Sequence, residues 1–470
     1  MILHFLVLLL SLVADPTSAP TSSPSTAPVA GIVIDRVAVD RLVEPLIDGE
    51  YAQSIVVAIV DSSGTRVFGY GRVAGKDSPA PDGQTVYEIG SVSKVFTSLL
   101  LSAFEQDKLV NGDDEVQNYL PADVKLASKG RPITLLDLST HRSGLPRMPA
   151  NFSSNNPDNP YAEYDAARLF EFLRAWQPDR PPGDRAEYSN LGVGLLGYVL
   201  ATRARTSYEQ QLLERICQPL AMHDTSITLS DSQNKRLAPG HDADGQPAGN
   251  WSFTDTFNGA GGIRSTANDM ARFVIAQFDL PAGKLGEAIR QTHSPQGTFQ
   301  GDRKIGMAWL IDRDGECIWH NGQTGGYHSF VAVGPAKKVG VVVLCNTATT
   351  LVDNVGSQLI RKQLGVAASI SPPLRKSIVL SGEQLDRFVG DYRLAVGVME
   401  IRRGENGLTA KLADQPAFPI YFDSEKSCFW KVVDARMTFE FGEDGFARSL
   451  TLHQNGANMP AKRIDPTTKP

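Results

Sequence analysis

The sequence predicts an α+β fold followed by a small all-β unit, on three observations. Two β-branched apolar runs precede a long helical middle, three strand-like runs follow it, and short alternating runs fill the last part of the chain. The first two observations place both ends of the leading unit in one antiparallel sheet. The third has the period of a small up-and-down barrel.

The N-terminus MILHFLVLLLSLVADPTSAP carries an apolar core from Phe5 to Ala14, too short for the ~20 residues that span a bilayer, with small residues after it suited to cleavage. Residues 1–19 therefore read as a secretory signal and the chain as secreted or periplasmic, an uncleaved anchor being the alternative. Residues 20–31 form a Pro/Ser/Thr tract with nothing to bury, a disordered linker. Folding is expected over 32–366. SIVVAIVD and TRVFGYGR flank Ser-Ser-Gly and predict a hairpin, and helical periodicity starts near Ser91.

From Pro132 to Phe278 the pattern is helix and loop. Gly192, Gly194 and Gly197 let one helix pack closely, and Thr266-x-x-Asp269 predicts a capping box for another. CIWH, SFVAVG and VGVVVLCN then read as sequential antiparallel strands. Paired prolines and missing periodicity mark 367–379 as a linker. Over 380–466 the runs VMEIRR, LTAKLA, FPIYF, RMTFEF and RSLTLHQ alternate as barrel strands do.

A net charge of −6 and a pI near 5.8, with basic residues spread evenly, exclude the phosphate-neutralising stripe of a nucleic-acid binder. Cys217, Cys317, Cys345 and Cys428 form no C-x-x-C pair. No metal site and no disulfide follow from them. FGYGRVAGK lacks the first glycine of a phosphate loop, so nucleotide binding is set aside.

The stretch EIGSVSKVFTSLLL sets Lys94 in a run of buried helical character. Residues three apart share a helix face, so Lys94 meets Ser91 and not Ser93. Gly90 leaves the backbone beside Ser91 open, and the first helical turn offers free N–H groups to a developing anion. Burial drives an ammonium pKa down, and a neutral amine can take the proton a serine must lose. S-x-x-K is short, and a lysine snorkelling to water beside two incidental serines is the plain alternative.

Two further pieces stand in order: Tyr188-Ser189-Asn190 within EYSNLGVGLLG, and His320-Asn321-Gly322 within WHNGQTGGYHSF. Read alone they are a core tyrosine, a helix-capping asparagine and a strand-end histidine. Together, with ITLLDLSTHRSGLP and GAGGIRSTANDMARF, they resemble the serine beta-lactamase and penicillin-binding-protein superfamily over about Val37 to Leu364. The Y-x-N form is similar to class C beta-lactamases, DD-peptidases and related esterases.

The resemblance implies a beta-lactamase/transpeptidase-like fold with a C-terminal lipocalin-like barrel, and a serine hydrolase working through an acyl-enzyme without cofactor or metal. It makes Ser91 the nucleophile, Lys94 and Tyr188 the proton-handling pair, and Asn190, His320, Gly322 and Gln323 the substrate-binding set. The backbone N–H groups of Ser91 and Gln323 would form the oxyanion hole. Expected substrates are small molecules, first a β-lactam, then a D-Ala-D-Ala peptide or an ester; no nucleic acid and no stable membrane partner are expected, and the sequence leaves homo-oligomers open. His320 departs from the lysine usual in beta-lactamases, exchanging a fixed charge for a titratable one. His141 is expected at the rim of the site, Arg264 to cap the following helix or to hold a substrate carboxylate, and His328 to line the pocket or pack on a strand.

Overall fold

The computed structural model describes residues 32–299, 301, 303–367, 374–404, 407–454 and 456–464. The expected leader and Pro/Ser/Thr linker, and residues 368–373 of the expected second linker, lie outside them.

The central sheet has eight antiparallel strands. These are β1 (Ser54–Asp61), β2 (Gly64–Gly71), β3 (Gly297–Thr298), β4 (Lys304–Ile305), β5 (Leu310–Ile311), β6 (Ile318–Gln323), β7 (His328–Gly334) and β8 (Val339–Cys345). Their spatial order is β2-β1-β8-β7-β6-β5-β4-β3. The two ends of the unit meet as expected, with Ile55 opposite Cys345 through Val60 opposite Gly340. The hairpin turn is tighter than the sequence pattern implied, because Gly64 takes φ +102° and enters β2 directly opposite Asp61.

Side chains alternate across a strand, and here that alternation feeds two separate cores. Val56, Ala58 and Val60 of β1 face one core with Phe273 and Val274, whereas Ile55, Val57 and Ile59 face the other with Val39, Val43, Leu359 and Ile360. With both faces covered, β1, β7 and β8 are buried along their whole length, which is why they read as unbroken apolar runs.

The helical middle contains α2 (Ser93–Gln106), α3 (Asn190–Ala204) and α4 (Ala267–Ala276); α1 (Arg36–Asp48) precedes the sheet and α5 (Leu351–Leu364) follows it. The glycines of α3 work as contact points. A Cβ on Gly194 would lie 2.5 Å from Thr256 O and one on Gly197 3.0 Å from Gly259 Cα. At α4 the expected capping box is half made. Thr266 accepts the Asp269 N–H, but the Asp269 carboxylate is occupied by the Asp224 N–H at 2.7 Å and the Thr225 hydroxyl.

Residues 374–378, read as linker, are tied down at their described end. The Tyr51 phenol donates to Arg375 O at 2.8 Å and the Ile378 N–H to Phe422 O at 2.7 Å. Beyond them, eight strands from Gly390–Leu394 to Ala457–Arg463 close into a barrel, the first pairing with the last. Its interior is packed with Phe388, Tyr392, Met399, Phe422 and Met437, leaving a filled core. Phe429 leaves that pattern and enters the second core of the leading unit, where it joins Tyr51. All four cysteines are buried free thiols.

Candidate active site

A short strand, Val86–Glu88, pairs with Arg264–Thr266 and delivers the chain to Gly90. Gly90 takes φ +48°, a region costly for residues with a Cβ, and starts one turn of 3-10 helix, Gly90–Val92, that runs into α2. Ser91 thus sits in that turn and not in the first turn of α2. The i, i+3 argument survives the change, because in a 3-10 turn such residues eclipse. Lys94 Nζ lies 2.9 Å from Ser91 Oγ and donates to Ala260 O at 2.6 Å. Ser93 turns the other way, its hydroxyl accepting the Ile263 N–H. Lys94 is fully buried, and that desolvation, with the Arg147 charge adding to it, pulls its pKa well below the usual lysine value.

Tyr188-Ser189-Asn190 forms the entry to α3. Ser189 is the cap, accepting the Gly192 N–H at 2.8 Å, so Asn190 is free of that task and begins the helix. The Tyr188 ring comes 5.0 Å from Lys94 Nζ, measured to the ring centroid. Burial raises the phenol to about 12, while hydrogen bonding with Ser91 and the Arg147 charge act against the rise. Asn190 Nδ2 contacts Met148 Sδ at 3.5 Å, and its Oδ1 is buried without a hydrogen-bond partner.

The third piece lies on β6, which extends past the expected strand end to Gln323. Gly322 has no room for a side chain: a Cβ there would lie 2.0 Å from Ile89 O and 2.8 Å from Ser91 N. A Cβ on Gly90 would likewise lie 2.7 Å from Gln323 N. The two segments that bear the Ser91 and Gln323 N–H groups therefore run against each other with only glycine at the contact. His320 donates from Nδ1 to Asn321 O at 2.6 Å, which leaves Nε2 as a buried lone pair without a protein partner. Burial first, and Lys94 second, push His320 down to about 3. It carries no charge at neutral pH.

A hydroxyl, a buried amine, a phenol and a glycine-lined backbone edge from three distant parts of the chain thus come together. A family model for beta-lactamase matches residues 39–364. The chain belongs to the beta-lactamase family. A beta-lactamase of Yersinia enterocolitica is 29% identical over 347 residues, covering 66% of this chain and 86% of that protein. The D-alanyl-D-alanine-carboxypeptidase/endopeptidase AmpH of Escherichia coli K12 is 28% identical over 324 residues, covering 65% and 82%. Among solved structures, D-alanine carboxypeptidase AmpC of Burkholderia cenocepacia superposes with a TM-score of 0.60 at 26% identity, covering 70% of this chain and 98% of that one.

At His320 the site holds a buried imidazole that offers no fixed charge. Its surroundings also correct several sequence expectations. His141 is not a rim residue. It is buried, lies 4.5 Å from the Tyr188 ring between centroids, and accepts the Ser189 N–H at Nδ1, 3.2 Å away. Desolvation holds it well below the usual histidine range, so it stays an acceptor. Arg264 caps no helix and holds no open position. It pairs with buried Glu88 at 3.0 Å and donates to Trp251 O and Ile227 O. His328 packs on its strand, bonded to Asp353 at 2.8 Å and to the Gln323 side chain at 3.2 Å. Asp353 also accepts from Asn321 Nδ2, so one carboxylate of α5 braces two positions of the β6–β7 edge. Sequence reasoning missed Arg147 altogether. Its guanidinium lies 5.0 Å over the Tyr188 ring, and its carbonyl accepts the N–H groups of Asn190 and Leu191. The S-G-L-P-R run that carries it was legible, but nothing in the run says where the side chain goes.

Proposed function

We propose that the chain hydrolyses the β-lactam amide through an acyl-enzyme on Ser91, as a class C-type beta-lactamase. One observation carries the reading: a buried Lys94 amine 2.9 Å from the Ser91 hydroxyl, with the Tyr188 ring 5.0 Å away. The opposite directions of the two shifts support a division of labour. Lys94, held toward its neutral form, takes the Ser91 proton as Oγ attacks the carbonyl carbon. Tyr188, held as a neutral phenol, gives its proton to the leaving nitrogen and is reprotonated from Lys94. The N–H groups of Ser91 and Gln323 would receive the oxyanion, and Asn190 the substrate amide. Water then attacks the ester, losing its proton to the same pair and returning one to Ser91.

The uncharged His320 supports a second reading, a D-alanyl-D-alanine carboxypeptidase or an esterase on the same residues, since it offers a substrate carboxylate no fixed charge. We further read the N-terminus as an export signal, residues 32–366 as the hydrolase and 380–466 as its lipocalin-like appendage. Nitrocefin separates the readings. Steady turnover supports a lactamase, a lasting adduct on Ser91 supports a peptidase or a non-catalytic penicillin-binding receptor, and absence of any Ser91-dependent labelling rejects the acyl-enzyme.

A further inference from the structure

The charges around the cleft can be accounted for one by one. Lys94 is buried and engaged by Ser91 and Ala260. Arg264 is spent on Glu88 and two carbonyls. Arg142 points to Gln296 O and Gly183 O. His141 and His320 are buried imidazoles, each with a bare Nε2. Arg147 alone of this set is exposed, and among the described residues its side chain meets the Tyr188 ring and no carboxylate. Its backbone is fixed by the first two N–H groups of α3, at 3.0 Å from Asn190 and 3.3 Å from Leu191. The guanidinium is thus held on the flank shared with Met148 and Asn190. On the proposed reading, in which Asn190 receives the amide of the acyl group, that flank faces the acyl part of the substrate; His320, on β6, lies 6.2 Å from the Tyr188 ring between centroids.

We infer that Arg147 is a specificity residue that selects substrates carrying an anionic group on the acyl side of the scissile bond. An exposed guanidinium presents a planar fork of donors that matches a carboxylate, and it is unencumbered by any ion pair that substrate would first have to break. The inference rests on the proposed acyl-enzyme at Ser91 and adds to it the charge of the acyl group.

The test measures the rate of Ser91 acylation by intact-mass spectrometry in two matched series. The first is benzylpenicillin, carbenicillin and ampicillin, which differ in a hydrogen, a carboxylate or an ammonium on the acyl side chain. The second is the hexanoyl, adipoyl and 6-aminohexanoyl esters of 4-nitrophenol. Because Arg147 also acts on Lys94 and Tyr188, the ratio of anionic to neutral substrate is read, which cancels any common effect on the proton-handling pair. In the parent protein that ratio should exceed the cationic-to-neutral ratio by about tenfold in at least one series. Arg147→Gln should bring the two ratios together, Arg147→Lys should restore part of the gap, and raised salt should narrow it. Equal ratios in the parent, or a gap unchanged in Arg147→Gln, overturn the inference while leaving the acyl-enzyme intact. Failure of every reagent to acylate Ser91 overturns both.

Discussion

Gly322→Ala tests whether the backbone edge beside Ser91 matters as much as the side chains. A methyl at this position would lie 2.0 Å from Ile89 O, where real contacts do not come below 3.0 Å, so β6 and the Ile89–Ser91 segment must separate by at least about 1 Å. The neighbours offer no soft escape, because the clashing atoms are backbone and the Ser329 hydroxyl, itself bonded to Ile89 O at 2.8 Å. Overpacking of this kind costs about 1–3 kcal/mol of stability. The functional loss should be larger, since the separation moves the Gln323 N–H away from the Ser91 N–H. Loss of one oxyanion donor lowers the rate by roughly 10²–10³-fold. Stopped-flow acylation with nitrocefin or an activated ester, beside a thermal melt, reads both. Acylation within about threefold of the parent at an unchanged melting temperature would refute the reasoning.

Ser91→Ala should abolish covalent labelling and leave the melting temperature within a degree or so, as expected for a partly exposed hydroxyl; retained labelling would move the nucleophile elsewhere. For kcat/KM against pH, Lys94 must be neutral and Tyr188 protonated, so activity should rise through a pKa below the ordinary lysine value and fall only toward about 12. A rising limb centred near 10.5 in rate profiles would contradict the assignment. Lys94→Met should abolish acylation and remove the Lys94 contribution to the pH dependence of stability. Between the native Lys94 pKa and the unfolded value of ~10.4 the unfolded chain binds the extra proton, so the Lys94 contribution to stability rises with pH in that window, and the difference between urea melts of the two proteins should rise with it. His141→Phe keeps the ring against Tyr188 but leaves the Ser189 N–H without its acceptor, and should cost about 1–3 kcal/mol with loss of activity. Phe429→Ala should destabilise the leading unit as well as the barrel, by about 3–5 kcal/mol, because that ring is part of the second core; a melt in which only one of two transitions moves would argue against it.

Much of the fold was legible because it rests on periodicity. Runs such as SIVVAIVD and VGVVVLCN are legible as strands, and their order, a strand pair, a helical middle and a strand triplet, places the two ends of the leading unit in one sheet; that both faces are covered is seen only in the structure. Ser91 and Lys94 were legible for the same reason, their contact being local in sequence. What stayed hidden depends on long-range packing. Arg264 could be read as a cap because nothing in GGIRSTA announces that Glu88 lies across a two-stranded pairing from it. His141 could be read as rim because its backbone, at φ +59°, turns the ring inward beneath Tyr188, a reversal no residue pattern signals. The tie from Tyr51 to Arg375 was invisible for the opposite reason: PPLRKS looks like connector, and one of the groups that fix it is a phenol 324 positions away.

The cleft shows what the chain gives up in stability for chemistry. Lys94 could be an apolar residue on a helix that also buries Val95, Phe96, Leu99, Leu100, Leu101 and Phe104, and the fold would gain from the exchange. Asn190 Oδ1, His141 Nε2 and His320 Nε2 are buried without protein partners, each at a cost of order 1–3 kcal/mol. These three lie near one phenol, with His141 and His320 beside its ring and Asn190 two residues along the chain. A site that holds unpaired acceptors and a neutral amine in place before substrate arrives does not have to reorganise when charge develops. The structure around Tyr188 is therefore better explained as preorganisation than as packing, and the braces that maintain it, Asp353 beneath β6–β7 and Ser189 at the start of α3, are where remote substitutions should first be felt in the rate.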